Sequence, residues 1–163
     1  MLNKLSMAVV GIAMMLMVAC GGGGGNETAA EKPAAKASSD ITEIIIEPVG
    51  NEMKYAQTEF TVKAGSKVRL IMKNTATLDA MVHNVVIMKP GSDGTAVGMA
   101  ALQAGEAKEY IPEDAAIMFY TPLAKPGETT QVEFTAPPAG DYPYICTFPG
   151  HFSLMKGVMK SVD

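Results

Sequence analysis

Three side chains that can bind a metal ion lie within ten residues near the C-terminus of the chain. Cys146 and His151 are five positions apart, and Met155 follows His151 by four. A thiolate is a soft ligand, a thioether is soft and weak, and an imidazole is borderline, a mixture that suits copper in both of its oxidation states. The Pro149-Gly150 pair predicts a tight turn between them. The segment 146–155, which we call the ligand loop, therefore predicts a metal site.

The chain contains one other histidine, His83, at the start of the apolar run 83–88, a pattern that predicts a strand. Taken singly, these residue types have ordinary interpretations. A cysteine most often packs as a small buried hydrophobe, and a methionine, of which the chain has 13, usually fills a core. Two histidines, one cysteine and one weakly bound methionine are together the ligand set of a trigonal copper site. The pattern predicts one copper ion (Cu⁺/Cu²⁺) held by four side chains: His83, Cys146, His151 and Met155.

The sequence Cys146–Gly157 resembles the copper loop of the azurins, and His83-Asn84 resembles their first-ligand motif. The likeness extends from about Gly50 to the C-terminus and includes the segments 98–100 and 108–110. Within this family the chain resembles in particular the auracyanins, the membrane-associated azurin-like cupredoxins of filamentous anoxygenic phototrophic bacteria. The resemblance implies a type 1 (blue) copper electron-transfer protein, and not an enzyme.

The resemblance also implies roles for individual residues. The thiolate of Cys146 is the strongest ligand and the main electronic path to copper, and Met155 is the weak axial ligand. Asn84 and Thr147 are expected to hydrogen-bond the two ligand segments together and so to orient the ligands, with Phe148 beside them. Azurins have a glycine where this chain has Val82, so we expect a four-ligand site with a closer methionine.

Apolar residues around the ligand loop predict a docking surface. Met81 precedes the first ligand, and Phe148, Pro149 and Phe152 flank His151. A largely uncharged patch around an imidazole edge suits the small interfaces of transient redox partners. The alternative is that these residues close the end of the fold.

Alternating runs of five to seven residues between turn signals predict the fold. About eight short strands in residues 41–163 favour an all-β, eight-stranded Greek-key β-sandwich of the cupredoxin type. The stretch 95–108 is rich in Ala, Met, Leu and Gln and poor in β-branched residues. It predicts one or two helical turns interrupted near Gly105, the short helical flap that azurins carry outside the sandwich.

The N-terminal 40 residues predict export and anchoring. Residues 1–19 have a positive start and a short apolar run, as in a signal peptide. Cys20 then stands where bacterial lipoproteins are cleaved and lipidated, although Met17 departs from the usual leucine; an ordinary signal peptide is the alternative. The glycine-rich stretch 20–40 predicts a flexible tether. We expect a monomer, anchored by lipid on the extracytoplasmic (periplasmic) face of the cell membrane.

Charge and chemistry limit the other classes of function. A net charge of −4 without a basic cluster does not favour nucleic-acid binding. The resemblance places the electron donor at a quinol-oxidising complex and the acceptor at a photosynthetic reaction centre or its cytochrome. Three alternatives remain: a periplasmic copper-binding or chaperone lipoprotein, a Cys-His hydrolase, and a zinc site, for which methionine is a poor ligand.

Overall fold

The computed structural model describes residues 41–163. The predicted signal peptide, the lipidation site at Cys20 and the tether 20–40 lie outside the described residues. Among the described residues, no helix is both long and apolar enough to cross a membrane.

Within residues 41–163, eight strands form two sheets, which confirms the predicted sandwich. The first sheet has the order β1-β3-β6 and the second the order β2-β8-β7-β4-β5. The strands are β1 (Ile41–Ile46), β2 (Glu59–Lys63), β3 (Lys67–Lys73), β4 (Val86–Met88), β5 (Ile117–Tyr120), β6 (Thr129–Thr135), β7 (Gly140–Ile145) and β8 (Lys156–Val162). Strands β1 and β3 pair in parallel, as do β2 and β8, and the other pairs are antiparallel.

Alternation along the strands places the core between the sheets. In β3, for example, Val68, Leu70 and Met72 are fully buried, while the lysines at both ends are exposed. The same core cluster contains Cys146 and Met155, so two of the predicted ligands are continuous with the interior of the sandwich. A site built into a close-packed core is held by many contacts that resist movement.

Strand β4 is shorter than the sequence predicts, and the expectation that His83 lies on a strand is wrong. His83 forms only an isolated bridge with Ala124, and the ladder begins at Val86. The reason lies in the partner strand, since Val86 pairs with Ile145, the last residue of β7. Beyond Ile145 the chain turns into the ligand loop and offers residues 83–85 no regular partner.

The flap is longer than predicted. Helix α1 (Gly94–Ala104) has 11 residues, and a short 3₁₀ turn (Glu106–Lys108) follows Gly105, which interrupts the two as expected. Asp93 caps the helix by accepting hydrogen bonds from the backbone of Thr95 and Ala96, at 2.8 and 3.3 Å. The cap fixes the start of the helix at Gly94, one residue before the predicted stretch, so the difference from prediction is the number of helical turns and not the position of the flap.

Candidate metal centre

The ligand loop is a compact turn between β7 and β8. The backbone N–H of Cys146 donates to the carbonyl of Met155 (2.9 Å), which closes the loop at its base. Within it, the N–H groups of His151 and Met155 donate to Phe148 (3.0 Å) and His151 (2.8 Å). Gly150 has a φ of 84°, a left-handed conformation that favours glycine at the turn. Three predicted ligands therefore stand on one internally bonded segment.

The fourth ligand residue, His83, reaches the loop from a separate segment. Its backbone N–H donates to Ala124 (3.0 Å), and its carbonyl accepts from the N–H of Ala124 (2.8 Å). These two bonds fix a residue that no strand ladder holds. All four predicted ligands are buried: His83, Cys146 and Met155 are inaccessible to solvent, and His151 is 3 % exposed.

Both imidazoles direct Nδ1 towards the thiol. The distance from Cys146 Sγ to Nδ1 is 3.9 Å for His83 and 3.6 Å for His151. With metal–nitrogen bonds of about 2.0 Å and a metal–sulfur bond of about 2.3 Å, a trigonal centre would separate these atoms by roughly 3.7 Å. The three side chains thus already have the spacing of a trigonal metal site, with their ligand atoms within 4.8 Å of one another. Met155 is buried in the same core cluster, and its carbonyl accepts from the N–H of Cys146, so its thioether would supply a further, weak ligand.

Side-chain hydrogen bonds join the two ligand segments. Thr147 donates its backbone N–H to Asn84 Oδ1 (2.9 Å), and Asn84 Nδ2 donates to Thr147 Oγ1 (2.8 Å). We call this pair of bonds the clasp. If the β4–β7 register continued past Val86 and Ile145, Asn84 would stand opposite Thr147, so the clasp replaces the ladder where it ends. The structure thus shows the contact that the resemblance implied for these two residues.

Burial controls the protonation of the metal-free site. It raises the pKa of the Cys146 thiol to about 11, and the backbone N–H groups of Asn84 and Phe148 oppose the rise by stabilising the thiolate. Burial, reinforced by repulsion from His151, lowers the pKa of His83 to about 4. Burial also lowers the pKa of His151. At neutral pH the site therefore presents one protonated thiol and two neutral imidazoles, ready to bind a metal.

This arrangement fits copper better than it fits the other chemistries. A cysteine nucleophile needs access to substrate and a lowered pKa, but Cys146 is buried and its pKa is raised. His83 Nε2 is buried without a hydrogen-bond partner among the described residues. The other ring nitrogen, Nδ1, faces the Cys146 thiol and is the one placed to bind a metal. A soft sulfur pair with two imidazoles is a ligand set for copper.

Comparison with known proteins decides the family. Residues 43–161 match the family model of copper-binding proteins of the plastocyanin/azurin family. The chain belongs to this family. The cofactor is accordingly one copper ion, and the residues placed to hold it are the buried group His83, Cys146 and His151.

Its relatives include both proteins of phototrophs and azurins. The chain is 43 % identical over 110 residues to auracyanin-A of Chloroflexus aurantiacus, covering 66 % of this chain and 67 % of the relative. It is 38 % identical over 131 residues to azurin-1 of Alcaligenes xylosoxydans xylosoxydans, covering 74 % of this chain and 99 % of that protein. These similarities confirm the resemblance to azurins and auracyanins.

The solved structures agree with this assignment. Auracyanin A of Chloroflexus aurantiacus, described as a blue copper protein, superposes with a TM-score of 0.70 at 40 % identity, over 75 % of this chain and 99 % of that one. The dithionite-reduced auracyanin of Roseiflexus castenholzii gives a TM-score of 0.68 at 38 % identity, over 75 % and 98 % of the two chains. The cupredoxin fold of the described residues is therefore shown.

The predicted docking residues lie in different environments. Phe148 and Pro149 are half-buried on the ligand loop, and Phe148 packs against the rings of His151 and Tyr110. Phe152 is also half-buried, but it packs beneath α1, where a β-carbon on Gly98 would lie 2.2 Å from its ring. Met81 lines a separate groove together with Leu154. The four residues are thus all half-buried, and they contact different neighbours.

Several residues around the site were not singled out from the sequence. Thr121 accepts a hydrogen bond from the N–H of Val85 (3.0 Å), Ala124 pairs with His83, and Tyr55 donates to the carbonyl of Asn84. Each of them hydrogen-bonds a backbone group of residues 83–85, so each replaces a bond that a strand ladder would otherwise supply before β4. Such contacts join positions distant in sequence and leave no local pattern.

Proposed function

We propose that this chain is a lipid-anchored, one-electron carrier on the extracytoplasmic face of the cell membrane. The observation that carries the proposal is the buried, pre-formed ligand set held by the clasp. A carrier must change oxidation state with little movement of its ligands. A loop bonded at its base and clasped to the second ligand segment opposes such movement.

The partners proposed from the sequence are transient. The donor is a quinol-oxidising membrane complex, and the acceptor is a photosynthetic reaction centre or its cytochrome. Membership of a family that includes auracyanin A, described as coming from a photosynthetic bacterium, supports this pair. The chain acts as a monomer, and a lipid on Cys20 with the tether 20–40 holds it near both membrane complexes.

We place the docking surface at the end of the molecule that carries the ligand loop. Leu154, which lies in the ligand loop, is 61 % exposed, and Leu78, five residues before His83, is 55 % exposed. Leu154 also lines a groove of about 650 Å³ with Met53 and Met81. Glu52, Lys54 and Lys156 also line this groove, so both apolar side chains and charged groups border it. The exposed apolar side chains permit close approach of a partner to the copper ligands.

A substitution at Leu154, with a matched control, tests this surface. Leu154→Asp should slow electron exchange with the partner and self-exchange, because it places a charge in the apolar contact beside Met155. Phe152→Asp is a poorer probe, since the Phe152 ring packs under α1. The matched control is Gln131→Asp, an exposed position on β6, in the sheet that carries none of the ligands.

Stopped-flow mixing with oxidised and reduced partner complexes gives the rates. We expect reversible one-electron exchange in the wild type, a slower rate in Leu154→Asp and an unchanged rate in Gln131→Asp. Equal rates in Leu154→Asp and Gln131→Asp would contradict this docking surface and would show that partners bind another face. Transfer of the copper ion itself to an apo-acceptor, without reversible electron exchange, would instead establish the chaperone alternative.

A further inference from the structure

Tyr55 lies in the loop between β1 and β2, outside both ligand segments, yet its ring is completely buried in the core cluster that contains Cys146 and Met155. Its hydroxyl donates a hydrogen bond to the backbone carbonyl of Asn84, 29 residues further along the chain. A phenylalanine would fill the same space without a polar atom to satisfy. A buried hydroxyl costs free energy unless it is bonded, so the contact with Asn84 needs to be explained.

The position of that carbonyl gives the explanation. Residues 83–85 precede β4 and have no regular ladder, so other groups must satisfy their backbone. The N–H and carbonyl of His83 pair with Ala124, and the N–H of Val85 donates to Thr121. The hydroxyl of Tyr55 supplies the bond for the carbonyl of Asn84.

We propose, as an extension of the electron-carrier function, that Tyr55 is a positioning residue of the copper centre. By holding the carbonyl of Asn84, its hydroxyl fixes the direction of the Asn84 side chain and thus the clasp to Thr147. The clasp in turn sets the position of Cys146 relative to His83. Tyr55 touches no reacting atom in this role and acts through Asn84.

The hydrogen bond itself gives the route of the effect. The hydroxyl of Tyr55 carries one proton, and it donates that proton to the carbonyl of Asn84. Tyr55 therefore acts on the copper centre through the clasp and not by a hydrogen bond of its own to the thiolate of Cys146. Without the hydroxyl the clasp is held less firmly, so the position of Cys146 relative to His83 changes, and the reduction potential and the charge-transfer band change with it.

The chain offers a matched control for this substitution. Tyr144 is also completely buried, and its ring packs against Tyr55 with a centroid separation of 5.4 Å. Its hydroxyl likewise donates to a backbone carbonyl, but that carbonyl belongs to Gln57, outside the ligand segments. Tyr55→Phe and Tyr144→Phe therefore remove equivalent hydroxyls, and only the first bond reaches the clasp.

The experiment compares the two variants with the wild type. We expect both to lose a similar amount of stability in the metal-free form, measured by denaturant unfolding. Only Tyr55→Phe should change the reduction potential, shift the visible charge-transfer band and weaken copper binding, by roughly 10-fold in competition with a chelator. Equal potentials and affinities in the two variants would overturn the proposal.

A double-mutant cycle with Asn84→Ala tests the route of the effect. With the clasp removed, Tyr55→Phe should cause little further loss of copper affinity. Fully additive losses would show that Tyr55 does not act through Asn84. A wild-type protein that fails to become blue with copper would contradict the carrier function itself. Normal blue wild-type protein with an unaltered Tyr55→Phe variant would contradict only the role of Tyr55.

Discussion

At the scale of single residues, the sequence predicts four copper ligands, and the structure groups three of them, His83, Cys146 and His151, around one point. Their chemistry and their spacing along the chain are enough to indicate copper. The groups that orient them were only partly predictable from the sequence. Asn84 and Thr147 directly follow ligands, whereas Tyr55 and Thr121 come from distant segments. A hydroxyl bonded to a backbone carbonyl has no signature in sequence.

Replacement of Met155 with leucine should leave copper bound and raise the reduction potential. The thioether donates some electron density, which favours the cupric form, and an aliphatic side chain donates none. The fold should tolerate the change, since a volume-conserving swap in a core costs less than about 1.5 kcal/mol. Cyclic voltammetry measures the potential. Met159→Leu, at a second fully buried methionine on β8, is the control and should leave the potential unchanged. Equal reduction potentials in the two variants would show that Met155 is not a copper ligand.

Metal binding should release about one proton near neutral pH. Burial raises the pKa of the Cys146 thiol to about 11, so the thiol is protonated in the metal-free protein and must lose its proton to bind. Neutral His83 and His151 release none, because their pKa values are lowered. Metal affinity should therefore rise as the pH rises towards 11. Calorimetric titration with the redox-inert ion Zn²⁺ in buffers of different ionisation enthalpy counts the protons. Binding without proton release would show that Cys146 does not coordinate.

At the scale of elements, the sandwich was predictable because alternation and turn residues mark each strand. The two boundary errors have physical causes. Strand β4 begins at Val86 because its partner leaves the sheet after Ile145, and α1 begins at Gly94 because Asp93 caps it. Both depend on contacts that a local pattern does not contain. The packing of α1 on the ligand loop also could not be predicted from the sequence.

Gly98→Ala should destabilise the packing of α1 on the ligand loop. A β-carbon at this position would lie 2.2 Å from Cγ of Phe152, the residue that follows His151. Overpacking of this kind costs about 1–3 kcal/mol. We expect lower stability in denaturant unfolding and faster loss of copper to a chelator. The exposed helical position Gln103→Ala serves as the control. If Gly98→Ala matched that control, the contact between helix and loop would contribute nothing to holding the ligands.

At the scale of the whole molecule, the chain combines a copper domain with a predicted anchor. Changing Cys20 to alanine should release the protein from membranes and leave its visible spectrum unaltered, because Cys20 stands at the far end of the predicted tether from the copper domain. Stable membrane attachment requires more than one acyl chain, which a lipidated N-terminal cysteine supplies. Membrane fractionation of cells that express the variant measures the release. Retention in the membrane fraction would point to an uncleaved helix or to attachment through another protein.

The visible and paramagnetic resonance spectra of the copper-loaded protein test the central claim most directly. The buried thiolate should give an intense blue sulfur-to-copper charge-transfer band that ascorbate bleaches and an oxidant restores. Cys146→Ser should fold but lose both the band and the one-electron activity, since a hydroxyl oxygen is a harder ligand. A colourless copper adduct of the wild type, or a serine variant that stays blue, would contradict the account.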